Sequence, residues 1–183
     1  GDVNPSGKLP ATFEKRWEDN ATFNSYYAAD KKVDFKEGLF LGYRHFDAKN
    51  IEPQFPFGFG LSYTTFAYKN LRIVPQTAGK KPIVSASVEI TNTGGRPGAE
   101  VVELYVGDLR PRVSRPVKEL KRFEKVWLKP GETKTATFEL DESAFAFYDV
   151  PNKQWTAAPG AYDSLVGSSS RDIKARGRFT LVR

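Results

Sequence analysis

The sequence predicts a mainly β protein, a seven-stranded β-sandwich over residues 63–183, preceded by a 62-residue stretch that cannot close a core alone. Three observations predict it. Apolar residues alternate with a period of two through most of the second half. Turn signals recur there at roughly 8–12-residue spacing. The first third shows neither pattern.

The elements follow in order. Lys8–Phe13 is an expected short strand. Lys36–Asp47 places apolar residues at 39, 40, 43 and 46, the spacing of a short helix, although Gly38 and Gly42 weaken it. Ile51–Ser62 (IEPQFPFGFGLS) is expected to be rigid and irregular, because its prolines break ladders and its glycines allow unusual φ. Thr64–Val74 opens the strands. In Ile83–Thr93, Val84, Ala86, Val88 and Ile90 share one face and Ser85, Ser87, Glu89 and Thr91 the other. Asn92-Thr93-Gly94-Gly95 then carries turn chemistry. Glu100–Gly107 alternates with two apolar faces, as a central strand covered on both sides would. Glu119–Leu128 has apolar residues at 120, 123, 126 and 128, which keeps register only with a bulge. Lys129-Pro130-Gly131-Glu132 reads as a β-turn. Thr133–Leu140 turns Ala136, Phe138 and Leu140 inward. Ala161–Gly167 and Arg171–Val182 complete the set, with Ile173, Ala175, Phe179 and Leu181 inward in the last. Tyr162, just after Pro159-Gly160, fits either a tyrosine corner or an ordinary core position.

Composition narrows the chemistry. Of 183 residues, 39% are hydrophobic and 14% aromatic, enough for one buried core. Cysteine is absent, which removes disulfides, thiolate metal sites and a Cys nucleophile. His45 is the sole histidine, so a multi-His metal site is excluded. No apolar run approaches the ~18–20 residues of a membrane-spanning helix, and no membrane association is expected. With no methionine and no secretory pattern at Gly1, the chain reads as a processed or excised piece.

Charge is uneven: residues 1–62 carry 8 Lys/Arg against 9 Asp/Glu, and residues 63–183 carry 20 against 13. Arg110–Lys129 holds eight basic residues facing only Glu119 and Glu124. It is either the solvated face of a strand and its loop or a site for a polyanion such as an acidic polysaccharide or lignin-like surface. Phe123 and Trp127 are its only aromatics and lie in no nucleic-acid motif, so nucleic acid is not an expected partner.

At this point a family resemblance appears. Gly1–Phe13 (GDVNPSGKLPATF) resembles the stretch that closes the α/β-sandwich domain of glycoside hydrolase family 3 enzymes. Glu37–Asp47 (EGLFLGYRHFD) and Phe55–Phe66 (FPFGFGLSYTTF) resemble the segments that follow it. Glu119–Glu132 (ELKRFEKVWLKPGE), Phe147–Asp149 (FYD) and Trp155–Ser169 (WTAAPGAYDSLVGSS) are similar to the family's fibronectin type III-like (immunoglobulin-like) module. Arg122 departs from the pattern, which more often has a small residue before the Phe. The resemblance implies two parts, 1–62 as the tail of an α/β-sandwich domain plus hinge and 63–183 as the fibronectin type III-like domain. It further implies a parent β-glucosidase that releases terminal β-D-glucosyl residues with retention, a secreted or periplasmic location, and as partners the parent's barrel and α/β-sandwich domains. No cofactor is implied.

The same resemblance places the nucleophilic Asp and the acid/base Glu outside this chain. A retaining site needs two carboxyl groups about 5–5.5 Å apart, one of them kept protonated by its surroundings. Glu14, Glu18-Asp19 and Asp141-Glu142 sit in polar, turn-like sequence and are expected at the surface, so no catalytic residue is assigned. His45 is expected to pack at a domain junction. Gly58-Phe59-Gly60 lacks the strand–loop–helix context and the Lys of a phosphate loop, and Gly167–Ser170 reads as a turn. Trp155, in the loop Pro151–Pro159, is the candidate carbohydrate contact, since an exposed indole stacks on a sugar ring; its alternative is a plug at the end of the sandwich. Trp17, Phe23, Tyr26, Tyr27, Leu39, Phe40 and Phe46 would leave apolar surface partly exposed, so much of 1–50 is expected to be mobile or bound to a partner.

Overall fold

A computed structural model describes residues 1–25, 32–78 and 81–182. Among the described residues nine strands run in chain order: β1 Phe66–Ala78, β2 Lys81–Asn92, β3 Gly98–Asp108, β4 Glu119–Leu128, β5 Thr133–Leu140, β6 Ala146–Asp149, β7 Gln154–Ala157, β8 Gly160–Gly167 and β9 Ile173–Leu181. Seven of them build the sandwich, as β1-β2-β5 in one sheet and β4-β3-β8-β9 in the other. All pairings are antiparallel. The remaining two, β6 and β7, form a separate hairpin, with β7 inside the stretch Pro151–Pro159 expected to be a loop.

The inward faces are those the alternation assigns. Val84, Ala86, Val88 and Ile90 of β2 meet Val102, Leu104 and Val106 of β3, and all are at most 4% exposed. Ala136, Phe138, Leu140, Phe179 and Leu181 join the same core. Water is absent from such a face because each buried aliphatic side chain contributes about 1.5–3 kcal/mol by leaving it. A bulge in β4 is present, since Leu104 pairs with Arg122 but Tyr105 with Leu120, leaving Lys121 as the extra residue. It does not gather all four apolar residues on one face: Val126 and Leu128 enter the core, whereas Phe123 pairs with outward-facing Glu103 and is 69% exposed. A second bulge in β1 sits at Asn70, which takes a left-handed φ of 54° and hydrogen-bonds Glu89 at 2.7 Å.

At the ends of the sandwich two buried polar side chains find full partners. Asn92 is fully buried; its amide donates to Arg96 O and Leu128 O, and its carbonyl accepts from Thr64 Oγ1 and Gly94 N. The Lys129–Glu132 turn forms as expected, with Gly131 at φ 74°. Tyr162 is a tyrosine corner: it is 1% exposed and its hydroxyl donates to Ala158 O at 2.7 Å.

The described residues of 1–65 form an arm across the sandwich, and two expectations change there. Lys8–Phe13 is not a strand; only Phe13 bridges, to Phe55, because Pro10 has no N–H to donate. The helix, α1, is Tyr43–Lys49 instead of Lys36–Asp47. Gly38 and Gly42 both take positive φ (55° and 51°), which ends any helix before Tyr43. Of the apolar side chains expected at the surface, Trp17 and Leu39 are half exposed or more, whereas Phe46 is buried. Tyr26 and Tyr27 lie outside the described residues.

Candidate functional site: the seam between arm and sandwich

The arm covers the outer face of β3, so this central strand is buried on both sides. Tyr105 points outward yet has no exposure. The Tyr43 ring meets it edge-to-face at 5.8 Å, Phe57 lies 5.2 Å from Tyr43, and the Tyr43 hydroxyl accepts from Leu120 N at 2.8 Å.

Charge then fixes where the arm sits. Asp47 on α1 receives Lys118, from the β3–β4 connection, and Arg171, from the β8–β9 turn at 3.3 Å. Arg171 also donates to Phe46 O and Ile51 O, at 3.1 and 2.7 Å, so it satisfies carbonyls at the C-terminal end of α1. Arg44 reaches Glu119, which is shared with Arg115 and Lys121. Burial pushes Glu119 up, but the Arg115 hydrogen bond and the surrounding cations outweigh it and hold the carboxyl below its usual range. Near the chain start, Lys8 spans Glu100 at 3.4 Å and Ser168 O at 3.0 Å, while Tyr68 donates to Glu100 at 2.8 Å. Glu103 accepts from Tyr105 beneath Gly58. Burial, opposed by Tyr105 and Lys8, pushes Glu103 up to about 7.

The seam consumes much of the basic stretch. Arg115, Lys118 and Lys121 have acidic partners in it, and Arg122 turns to Glu139 O. Three of the eight basic residues of Arg110–Lys129 are therefore internal structure, while Arg122 stays partly solvated, as the sequence expectation of a solvated face allows.

Asp19 corrects another expectation. It is 6% exposed and bound by Arg16 at 2.6 Å, whose hydrogen bond holds its carboxyl low. Asp141 caps the short 3-10 turn Glu142–Ala144, and its hydrogen bonds from Ser143 hold it low too. Neither is a candidate acid. His45 packs within the arm, 3.1 Å from Asp19 O and edge-on to Phe46. Among the described residues no group of His, Asp and Glu could hold a metal ion. Gly58 faces a carboxylate, the reverse of a phosphate cradle. Ser168–Ser170 form a turn closed by Ser169 Oγ, which accepts from Asp172 N at 2.9 Å.

Trp155 is not a plug. It lies on β7, 73% exposed, with Tyr148 across the hairpin at 5.7 Å. Glu100 and Glu103, which the sequence reading did not single out, carry the seam's unusual chemistry. Their signal was a carboxylate in a strand with two apolar faces.

This architecture agrees with comparisons to known proteins. Residues 1–63 match the glycosyl hydrolase family 3 C-terminal domain and residues 100–170 the fibronectin type III-like domain. The chain belongs to glycosyl hydrolase family 3. Within it, the chain corresponds to the C-terminal, accessory portion of the family's β-glucosidases. Thermostable beta-glucosidase B of Acetivibrio thermocellus is 46% identical across 99% of this chain and 26% of its own length. A putative beta-glucosidase of Schizosaccharomyces pombe is 44% identical across 100% of this chain and 22% of its own. In structure, the beta-glucosidase of Kluyveromyces marxianus in complex with glucose superposes with a TM-score of 0.90 at 38% identity, covering 100% of this chain and 22% of that one. The GH3 beta-glucosidase of Bifidobacterium adolescentis gives 0.91 at 41%, covering 99% and 26%. The chain thus spans about a quarter of the length of the relatives it matches.

Proposed function

We propose that this chain is the non-catalytic brace of a retaining β-glucosidase that removes terminal β-D-glucosyl residues. Residues 1–62 belong to the α/β-sandwich domain, and residues 63–183 dock against it through the seam. The observation that carries the reading is the pairing of a locked inner seam with an open apolar outer side on the same arm. Asp47, Lys118 and Arg171 hold the arm's inner side. Its other side opens a groove of about 630 Å³, lined by Leu9, Phe13, Phe55, Phe59 and Leu61, for the rest of the enzyme to fill. A rigid brace contributes by positioning catalytic groups that other domains supply.

The test is direct. The purified chain should not hydrolyse aryl β-glucosides, whereas catalytic domains co-produced with it should be more stable and active than without it. Turnover by the isolated chain that a single carboxylate-to-amide change abolishes overturns the reading.

The exposure of Trp155 favours a second role, retention of polysaccharide at the hairpin tip. If so, Trp155→Ala loses retardation in gels containing soluble glucan, and the migration is insensitive to salt. Unchanged retardation removes this role.

A further inference from the structure

A brace needs the Tyr43–Tyr105 contact, but it does not need a carboxyl group beneath the arm. Glu103 is 3% exposed, and its one hydrogen bond among the described residues comes from the Tyr105 hydroxyl. Gly58 lies directly over it. A Cβ placed on Gly58 would come within 2.5 Å of both carboxyl oxygens, and the residue's φ of 81° also favours glycine. The arm offers the carboxyl group no donor in exchange for lost water: Gly58 N is committed to Leu9 O at 2.9 Å and Phe59 N to Pro56 O at 3.0 Å.

Of the surrounding charges only Lys8 favours ionisation, and it makes no ion pair with Glu103. On β3 itself stand Glu100 and Tyr105. From the arm come Lys8, Tyr43 and Asp47, but the Lys8 ammonium is held by Glu100 and Ser168 O, and Asp47 is taken by Lys118 and Arg171. Lys118 also lies over the Tyr105 ring at 5.8 Å. From β1 comes Tyr68, hydrogen-bonded to Glu100, and from the β8–β9 turn Asp172, which pairs with Lys174. The residues paired with Glu103 on either side, Phe123 of β4 and Gly167 of β8, carry no charge. A carboxyl group so placed is stabilised as the neutral acid, because ionising it would leave a buried charge without water or a partner.

We propose that Glu103 and Gly58 form a proton-operated catch, with residues 56–60 of the arm closed over the sandwich while Glu103 is protonated and released as it ionises. The inference rests on the reading of the arm as a docked brace and adds that the docking responds to mildly acidic and neutral pH. In the closed state the carboxyl group donates or accepts one hydrogen bond with Tyr105 and needs nothing from solvent. On losing its proton to water it must be hydrated, and the route to water runs through the Gly58 turn.

Hydrogen exchange of the whole chain at pH 4.5 to 8, corrected for intrinsic rates, tests the catch at the Leu9, Gly58 and Phe59 amides. Protection there should fall by about tenfold per pH unit between the ordinary value of 4.5 and about 7, then level off, while β2 and β5 hold theirs. Glu103→Gln keeps the shape and the neutrality of the acid, so its protection should be flat across the range. Flat protection in the unaltered chain, or the same fall in Glu103→Gln, overturns the catch alone. Arm amides that exchange freely at every pH overturn the brace as well. Should Glu103→Gln fail to fold, the carboxyl carbon shift of Glu103 in the unaltered chain decides: a midpoint near 7 supports the catch, and one near 4.5 ends it.

Discussion

The two faces of β3 solve the same problem in opposite ways. Its inner face, Val102, Leu104 and Val106, is dry and aliphatic, and it is buried by the other sheet. Its outer face, Glu103 and Tyr105, is equally buried but beneath a segment whose described residues make only one β-bridge, one short α-helix and one 3-10 turn. The inner contact needs only shape and apolar surface. The outer one is held by Asp47, Glu119, Glu100 and their cations, whose geometry fixes one docking position. Apolar packing therefore makes the sandwich, and buried charge aims the arm.

The sharpest way to break this contrast is Asp47→Ala. Lys118 is 8% exposed, and losing its partner leaves a buried cation uncompensated. The cost should be about 3–5 kcal/mol, read as loss of arm protection in hydrogen exchange with the β2–β5 core intact. Simultaneous loss of both regions would show that seam and core are a single cooperative unit. Next in size is Tyr162→Phe, inside the sandwich. Removing the hydroxyl leaves Ala158 O unpaired, at about 1–3 kcal/mol, and the melting temperature of the sandwich should fall while the arm keeps its relative protection.

The pH profile of arm docking should have a maximum, since two seam carboxyls pull in opposite senses. Glu119 is lowered, so its contribution is present above the unfolded value near 4.5 and lost as pH falls through its folded value. Glu103 is raised, so its contribution is complete below about 4.5 and lost as pH rises toward about 7. Docking should be firmest in the mildly acidic range, and a profile that rises steadily to pH 8 would contradict the Glu103 assignment. The smallest effect belongs to Trp155→Ala. An indole 73% exposed on a hairpin outside both sheets should change stability by no more than about 0.5 kcal/mol, measured by denaturant unfolding. A loss of several kcal/mol would restore the plug.

Legibility in the sequence followed the same division. Seven strands, the β4 bulge, the Pro130-Gly131 turn and the Tyr162 corner were readable because each has a local signature: period two, a broken period, a turn dipeptide, a tyrosine after Pro-Gly. The helix was misplaced because Gly38 and Gly42 admit either a helix or left-handed turns, and only packing of Tyr43 on Tyr105 decides between them. Lys118 reads as a surface residue because nothing near it in sequence reveals Asp47, 71 residues away. Asp19 and Arg115 have partners three and four positions off, but an i,i+3 or i,i+4 charge pair looks the same in sequence whether it is buried or solvated. The β6–β7 hairpin escaped notice because four-residue strands are too short to display a period.

That hairpin also has a practical side. Because β6 and β7 pair only with each other, their turn at Pro151–Lys153 can be lengthened without interrupting a ladder of either sheet. Lys153 already tolerates a left-handed φ of 52°, so a Gly-rich insertion meets no new strain there. The turn is thus a grafting point, where a fluorophore tag or a foreign binding loop can be carried on a side of the sandwich that the seam and the arm leave alone.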